Sequence, residues 1–304
     1  MMNNKLPNFL IVGAAKCGTS SLHNYLNQHP DVFMPTFTPA GLKVKEPRFL
    51  IKEALQKRLS KGIWNYEDYK LLFDSVTSQK AVGESTVLYL YYHKEAIKNI
   101  KKYLGEDIKI IIMLRNPIDR AYSAYSFASR TTQENQTFKE ALINTRERFE
   151  KDETLSPMVL YKELGLYYKM VKDYMQNFKD VHIVLYDDFI LQTDLEVTRI
   201  FDFLNISNTN DIKTNKIVNS GGKQWTSKFM KRLLMSQGGM KFFLRILLPK
   251  KVRVNIKNRL IISFTSKAEA INESIKKELL DYYQKDINLL EKLINKDLSK
   301  WKKI

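Results

Sequence analysis

Short, mostly apolar runs alternate along the chain with longer stretches of mixed polarity. Phe9–Val12, Lys109–Leu114 and Val181–Tyr186 have the length and the β-favouring residue types of buried strands. Helical patterning follows the second and third of these runs, at Ile118–Arg130 and Leu195–Leu204. Apolar strands separated by helices predict an α/β fold, in which a central parallel sheet is flanked by helices.

The pattern between the first two clear strands is more mixed. Pro30 to Pro47 is punctuated by prolines and is predicted to be a loop, and mixed helical sequence continues through Leu72. Lys80–Tyr92 is predicted to be a short strand, a turn and an aromatic-rich segment. Because ligands of such folds bind at the carboxyl ends of the strands, the residues that follow each strand are the candidates for chemistry.

The segment after the first strand combines groups that hold a phosphate. Gly18 lets the backbone approach a ligand closely, and Lys16 adds a compact positive charge. Thr19, Ser20 and Ser21 add hydroxyls at the start of a predicted helix, whose first N–H groups favour anions. The plain alternative is a strand-to-helix turn with a capping hydroxyl. In GAAKCGTS the lysine precedes the second glycine, which disfavours an ordinary ATP or GTP loop.

A second phosphate site is predicted where the Lys109–Leu114 strand ends. Arg115 follows that strand directly, and Ser123 lies about two turns into the next helix, so both can reach one phosphate. The alternative is that Arg115 pairs with a local carboxylate such as Asp119. Two phosphate sites on one sheet fit a nucleotide with phosphates at both ends of its ribose.

Composition narrows the class of protein. The chain has 304 residues, 44% of them hydrophobic, which is enough for a sizeable core. The 50 Lys and Arg against 33 Asp and Glu give a formal charge of +17, which implies an anionic partner. The single cysteine, Cys17, excludes an intramolecular disulfide, and we interpret it as a packing residue in the loop rather than a reactive thiol.

No apolar run approaches the length of a membrane span, and the N-terminal residues do not form a convincing signal peptide. We therefore expect a soluble, cytoplasmic protein. A second expectation is peripheral association with the inner face of the membrane.

Two motifs resemble those of sulfotransferases that use 3′-phosphoadenosine 5′-phosphosulfate (PAPS). KCGTSSL at Lys16–Leu22 is similar to their 5′-phosphosulfate loop, and LRNPIDRAYSAY at Leu114–Tyr125 is similar to their 3′-phosphate motif. KEPRFL at Lys45–Leu50, GESTVLYL at Gly83–Leu90 and the pattern at Asp281–Trp301 resemble the branch that contains heparan sulfate sulfotransferases and their bacterial relatives. The two nucleotide motifs are specific only when taken together.

The resemblance implies a reaction and its participants. It implies transfer of a sulfuryl group from PAPS to a hydroxyl or amine of a carbohydrate, such as a surface polysaccharide or a glycolipid, with release of 3′-phosphoadenosine 5′-phosphate (PAP) and no required metal. Lys16 would stabilise charge on the leaving phosphate, and Arg115 and Ser123 would hold the 3′-phosphate. The residues that would hold the 5′-phosphosulfate are Lys16, Cys17, Gly18, Thr19, Ser20 and Ser21.

The resemblance also implies residues for the acceptor. Glu46 corresponds to the catalytic base of the family, and Lys45 would orient Glu46 or contact the sulfate. Glu84 is the second candidate for the base, and we interpret it as a positioning or structural carboxylate. Lys45, Glu84 and Ser85 are also the candidates for binding the acceptor. Ser85 and Val87 stand where many glycan sulfotransferases have lysine and proline, so the contact of Ser85 with the acceptor, and the identity of the acceptor, stay open.

A strongly basic region follows. Lys213–Arg259 contains thirteen Lys and Arg and no Asp or Glu. Its first part resembles a loop that closes over the nucleotide, with Lys223 as the candidate contact. Met230–Val254 is either a membrane-surface segment or a helical cap with solvated lysines. We expect a single domain over residues 1–304 with a basic insertion or cap at about 213–268.

Two other classes of function stay open. A P-loop kinase or NTPase would use a similar strand, loop and helix but would depend on Mg²⁺. A non-enzymatic binder of acidic glycans or nucleic acid would explain the charge but not the strand-end positions of Lys16 and Arg115. We expect no nucleic-acid partner and no zinc or iron site, and we leave the oligomeric state open.

Overall fold

A five-stranded parallel sheet lies at the centre of the protein in the computed structural model. The structure describes residues 5–131, 133–208, 212–214, 223–227, 229–231, 252, 255–256, 259–260, 263–267 and 269–303.

The described strands are β1 (Phe9–Gly13), β2 (Val32–Phe33), β3 (Ala81–Ser85), β4 (Lys109–Leu114), β5 (Val181–Leu185), β6 (Lys223–Trp225) and β7 (Thr265–Lys267). The α-helices are α1 (Thr19–Leu26), α2 (Lys52–Leu55), α3 (Tyr66–Leu71), α4 (His93–Tyr103), α5 (Pro117–Ala128), α6 (Phe138–Lys151), α7 (Tyr167–Asn177), α8 (Tyr186–Leu191), α9 (Thr193–Leu204) and α10 (Glu273–Ile294). Short 3₁₀ helices span Phe49–Ile51, Pro157–Val159, Glu163–Gly165 and Ser299–Lys302.

The order of strands in the sheet is β2-β3-β1-β4-β5, and every neighbouring pair is parallel. Phe9 of β1 pairs with Gly83 of β3 on one side and with Lys109 of β4 on the other. The chain leaves β1 toward β2 and leaves β4 toward β5, which lie on opposite sides of β1. A crevice therefore opens at the carboxyl ends of β1 and β4, where ligands of such sheets bind.

The α/β prediction is confirmed by this sheet. The predicted strand at Lys109–Leu114 has the bounds of β4, and β1 and β5 match the other two apolar runs to within one residue at each end. All five residues of β1 are buried, because helices cover both faces of a parallel sheet and leave no solvated side to alternate toward.

The sequence pattern does not predict β2, which lies inside the segment expected to be a loop. Two residues are too few to show a period of two, and β2 is fixed by its pairing of Val32 with Ala81 and of Phe33 with Val82. A strand this short at the edge of the sheet depends on its neighbour rather than on its own propensity.

The last long helix packs against the body of the protein. Leu279, Tyr283, Ile287 and Leu290 are the buried residues of α10, and their spacing places them on one helical face. The Tyr283 hydroxyl donates to the Lys162 carbonyl at 3.0 Å. The α10 helix contacts α7 and α5, so it supports the helix that carries Ser123.

Most of the basic region at about 213–268 lies outside the described residues, including nearly all of the candidate membrane-surface segment. The described parts include β6 and β7, which pair antiparallel with Lys223 opposite Lys267. Trp225 donates its indole N–H to the Arg130 carbonyl at 3.1 Å, which links β6 to the end of α5. Among the helices that the structure describes, none is long and apolar enough to cross a membrane.

Candidate active site

A cleft of about 800 Å³ lies at the carboxyl edge of the sheet. It brings together nine of the residues that the sequence analysis singled out: Lys16, Gly18, Thr19, Ser20, Ser21, Lys45, Glu46, Arg115 and Ser123. Four other predicted site residues are not found among the lining residues. Three of them do not line the cleft, namely Cys17, Glu84 and Ser85, and the side chain of the fourth, Lys223, is not described. The cleft has the size of a nucleotide or small-ligand site.

The loop between β1 and α1 forms one end of the cleft. Lys16 has φ 71° and Gly18 has φ 88°, both in the left-handed region. A Cβ on Gly18 would lie 3.2 Å from the Tyr186 ring, so glycine is required there both for its conformation and for space. Gly18 is the N-cap of α1 and has no side chain to cap it. The Ser21 N–H donates to the Gly18 carbonyl at 2.9 Å, whereas the N–H groups of Thr19 and Ser20 have no backbone partner among the described residues and can bind an anion.

Cys17 faces away from the cleft. Its thiol is fully buried, 3.7 Å from the Ala15 carbonyl and 3.9 Å from the Tyr167 hydroxyl. Burial raises the pKa of the thiol to about 11, so it stays protonated at neutral pH. The packing interpretation of Cys17 fits this position, whereas a side-chain contact with a ligand in the cleft does not.

Lys16 is the central cation of the loop. Its Nζ lies 4.4 Å from the centre of the Phe127 ring, a cation–π contact with α5. Burial, followed by the positive charges of Arg130 and Arg115, lowers the pKa of Lys16 to about 8. Because Arg130 and Arg115 both repel the charged form of Lys16, an anionic ligand in the cleft would relieve this repulsion.

Arg115 lies at the second predicted phosphate site. Its guanidinium lies 4.6 Å from the centre of the Tyr186 ring, and Nη1 donates to the Lys16 carbonyl at 3.4 Å. Asp119 also lines the cleft, but the described part of the chain contains no ion pair between it and Arg115. The alternative of a local carboxylate partner is therefore not observed. The two predicted phosphate sites are in contact through the Arg115 side chain.

Helix α5 places Ser123 in the same cleft as Arg115. The Asn116 side chain caps the helix by accepting from the Ile118 N–H at 2.9 Å, and Pro117 occupies the first turn, where its missing N–H costs nothing. The residues of α5 that line the cleft are Asp119, Tyr122, Ser123, Ser126 and Phe127, whose spacing of three and four defines one helical face.

Lys45 and Glu46 line a second wall of the cleft, formed by the segment between β2 and α2. Lys45 Nζ lies 3.5 Å from Glu46 Oε1, and Arg48 Nη2 lies 3.6 Å from Glu46 Oε2. The Glu46 side chain is 22% exposed, so it is held between two cations yet still accessible from the cleft. A carboxylate in this setting can accept a proton from a bound hydroxyl.

Glu84 and Ser85 lie behind the cleft, and both are fully buried. Neither side chain can therefore contact an acceptor, which corrects the expectation that they bind one. Burial raises the pKa of Glu84 to about 7, and its hydrogen bonds from Tyr89, Thr86 and Tyr69 partly offset that effect. The sequence pattern does not reveal this burial, because Glu and Ser are usually exposed.

Several residues of the cleft were not singled out from the sequence as individual contacts. Phe127 could have been found by helical spacing, since it lies four residues after Ser123. Tyr186 follows β5 directly and could have been found as another strand end. Arg48 stands in the KEPRFL motif, but its contact with Glu46 requires the left-handed φ of 66° at Arg48, which the sequence does not indicate. Within the described ranges, no cluster of His, Cys, Asp and Glu could hold a metal ion.

Comparison with known proteins adds independent information. Residues 6–243 match a family model described as a sulfotransferase domain. The chain is 24% identical over 253 residues to carbohydrate sulfotransferase 15 of Mus musculus, covering 66% of this chain and 44% of that protein. It is 26% identical over 206 residues to heparan sulfate glucosamine 3-O-sulfotransferase 3B1 of Homo sapiens, covering 67% of this chain and 47% of that protein.

A solved structure covers more of the chain. The crystal structure of a sulfotransferase from Alicyclobacillus acidocaldarius is 29% identical and superposes with a TM-score of 0.70, covering 98% of this chain and 99% of that one. By contrast, the chain spans less than half the length of the two mammalian relatives.

The buried Glu84 carboxyl predicts a pH-dependent stability. Its pKa is about 7 in the folded protein against 4.5 ordinarily, so the folded state holds a proton that the unfolded state has lost between these values. The stability of the wild type relative to Glu84→Gln should therefore fall as pH rises from 4.5 to 7, by up to about 3 kcal/mol. Urea denaturation of both proteins at a series of pH values measures this difference. A difference that stays constant with pH would mean that Glu84 titrates normally.

Proposed function

The chain belongs to the sulfotransferase family, and we propose that it transfers a sulfuryl group from PAPS to a hydroxyl or amine of a carbohydrate. The single observation that supports this function best is that two basic groups of residues, each a candidate anion subsite, line one cleft. One consists of the Lys16 loop with the first turn of α1, and the other of Arg115 with Ser123 on α5. A nucleotide with phosphates at its 5′ and 3′ positions has the matching charges.

The charge of the cleft fits such a donor. No carboxylate forms an ion pair with Lys16 or Arg115 in the part of the chain that the structure describes. Buried or half-buried cations without an acidic partner are costly unless a ligand supplies the opposite charge. Planar guanidinium groups such as that of Arg115 bind a phosphate through two parallel hydrogen bonds.

The proposed mechanism assigns charge stabilisation to the loop. Sulfuryl transfer resembles phosphoryl transfer in that it needs aligned groups and electrostatic stabilisation more than covalent help. Lys16, the N–H groups of Gly18, Thr19 and Ser20, and the hydroxyls of Thr19, Ser20 and Ser21 would stabilise the charge that develops on the leaving phosphate. The pKa of Lys16, about 8 without a ligand, leaves the ammonium largely charged at neutral pH.

Glu46 is the proposed general base. Its carboxylate faces the same cleft as Lys16, so it can take the proton of an acceptor hydroxyl placed between the two walls. Lys45 contacts one of its oxygens and Arg48 contacts the other, so the two cations hold the carboxylate in place. Lys45 would also orient the transferred group. No metal ion has a role in this scheme.

The acceptor is proposed to be a carbohydrate. Two relatives are named for carbohydrate and for heparan sulfate glucosamine sulfation, which supports this class. We propose that this carbohydrate is part of a surface polysaccharide or of a glycolipid. The formal charge of +17 supports contact with anionic surfaces, and we propose a cytoplasmic location with peripheral association at the inner face of the membrane.

Arg115→Ala tests the nucleotide site. Loss of a charge-assisted, two-pronged contact should weaken PAP binding by about 10- to 100-fold. Isothermal titration calorimetry with PAP measures the change, with Arg146→Ala as the control because Arg146 lies exposed on α6, outside the cleft. Absence of PAP binding by the wild type would contradict the proposed function, and undiminished binding by Arg115→Ala would contradict the role of Arg115.

Glu46→Gln tests the base. The amide keeps the shape of the side chain but cannot accept a proton, so turnover should fall by about 10² to 10⁴-fold while PAP affinity stays unchanged. Transfer from radiolabelled PAPS to a panel of desulfated polysaccharides and simple glycosides measures turnover. Glu67→Gln, at an exposed position of α3, is the control. Full turnover in Glu46→Gln would assign the base to another residue.

A further inference from the structure

The Glu84 carboxylate lies in a pocket of hydroxyl groups rather than beside a cation. Tyr89 Oη donates to Oε1 at 2.6 Å, Tyr69 Oη donates to Oε1 at 3.3 Å, and Thr86 Oγ1 donates to Oε2 at 2.8 Å. No basic side chain of the described residues lies within ion-pair distance of it. Burying a carboxylate that is held only by hydroxyls costs free energy of folding. A structural or functional role of Glu84 is therefore expected.

Two of these hydroxyls also bind the segment that carries Glu46. Thr86 Oγ1 accepts the Arg48 backbone N–H at 3.3 Å, and Tyr89 Oη accepts the Leu50 backbone N–H at 3.3 Å. Each hydroxyl has one proton, which it donates to Glu84, so its lone pairs are turned toward the incoming N–H groups. The carboxylate thus orients both hydroxyls as acceptors.

Tyr69 differs from the other two hydroxyl residues. It donates to the same Oε1 atom as Tyr89, but no hydrogen bond of its hydroxyl to the Glu46 segment is found among the described residues. The two tyrosines therefore share a carboxylate and differ in whether they connect it to the backbone of that segment.

The two backbone N–H groups that these hydroxyls bind belong to residues close to the proposed base, Glu46, in the chain. Arg48 is two residues after Glu46, has the left-handed φ of 66°, and places its guanidinium 3.6 Å from Glu46 Oε2. Arg48 Nη1 also donates to the Lys61 carbonyl at 2.6 Å. The unusual backbone conformation at Arg48 is thus fixed on both sides of the residue, by its own N–H and by that of Leu50.

We propose that Glu84 is a positioning residue for sulfuryl transfer, whose carboxylate acts through Thr86 and Tyr89 to fix the backbone that places Glu46 and Arg48 at the cleft. This inference rests on the proposed function, because it takes Glu46 to be the base. Glu84 does not touch the cleft, so it affects the reaction only through the geometry of Glu46.

The matched variants Tyr89→Phe and Tyr69→Phe test whether the Glu84 carboxylate is connected to the Glu46 segment through Tyr89. Each removes one hydroxyl from the same carboxylate oxygen, but only Tyr89→Phe releases the Leu50 N–H. Hydrogen exchange followed by mass spectrometry should show the segment Glu46–Ile51 exchanging about tenfold faster in Tyr89→Phe, as expected for one lost hydrogen bond, and unchanged in Tyr69→Phe.

Turnover provides the second readout. In Tyr89→Phe we expect kcat to fall about tenfold, with the KM for PAPS and the PAP affinity close to those of the wild type. Tyr69→Phe should keep the wild-type kcat. Equal exchange rates in all three proteins, or an equal loss of kcat in the two variants, would overturn the proposal.

The two proposals fail in different ways. If the wild type did not bind PAP, the proposed function would fall, whereas the exchange experiment would still decide whether Tyr89 anchors the Glu46 segment. If PAP bound and the exchange rates of the two variants were equal, only the role of Glu84 would fall.

Discussion

The parallel pairing of β1 with β4 is the constraint on which the site depends. It brings the loop after Gly13 beside the residue that follows Leu114, so that Lys16 and Arg115 approach each other although they lie far apart in the chain. Neither cation pairs with a carboxylate in the described part of the protein. The fold therefore holds two positive groups at one edge of a sheet, where an anion can satisfy both.

The wall of the cleft that carries Glu46 is held by a different kind of interaction. The segment Glu46–Ile51 has a short 3₁₀ helix at Phe49–Ile51 and no other regular structure, and two of its backbone N–H groups bind side-chain hydroxyls that converge on the buried Glu84. Hydroxyls supply directional acceptors without adding charge near the cleft. The sheet thus positions Lys16 and Arg115 directly, through strand ends, and Glu46 indirectly, through side chains of β3 and of the turn that follows it.

The sequence was sufficient to predict β1 and β4, whose carboxyl ends carry the two segments for which phosphate binding is proposed. Long apolar runs and a glycine-containing turn have local signatures, so β4 and the loop around Gly18 could be found from pattern alone. The proposed role of Glu46 depended on family resemblance, because an adjacent Lys and Glu before a proline has no such signature. The burial of Glu84 and Ser85 was not predicted, since it results from pairing and packing with residues distant in the chain.

Comparing PAP with adenosine 5′-phosphate by calorimetry tests the two-subsite character of the cleft most directly. The two ligands differ only in the 3′-phosphate, which should contact Arg115 and Ser123. We expect PAP to bind at least about tenfold more tightly, the contribution of one charge-assisted phosphate contact. Equal affinity for the two ligands would contradict the assignment of a second phosphate site at the end of β4.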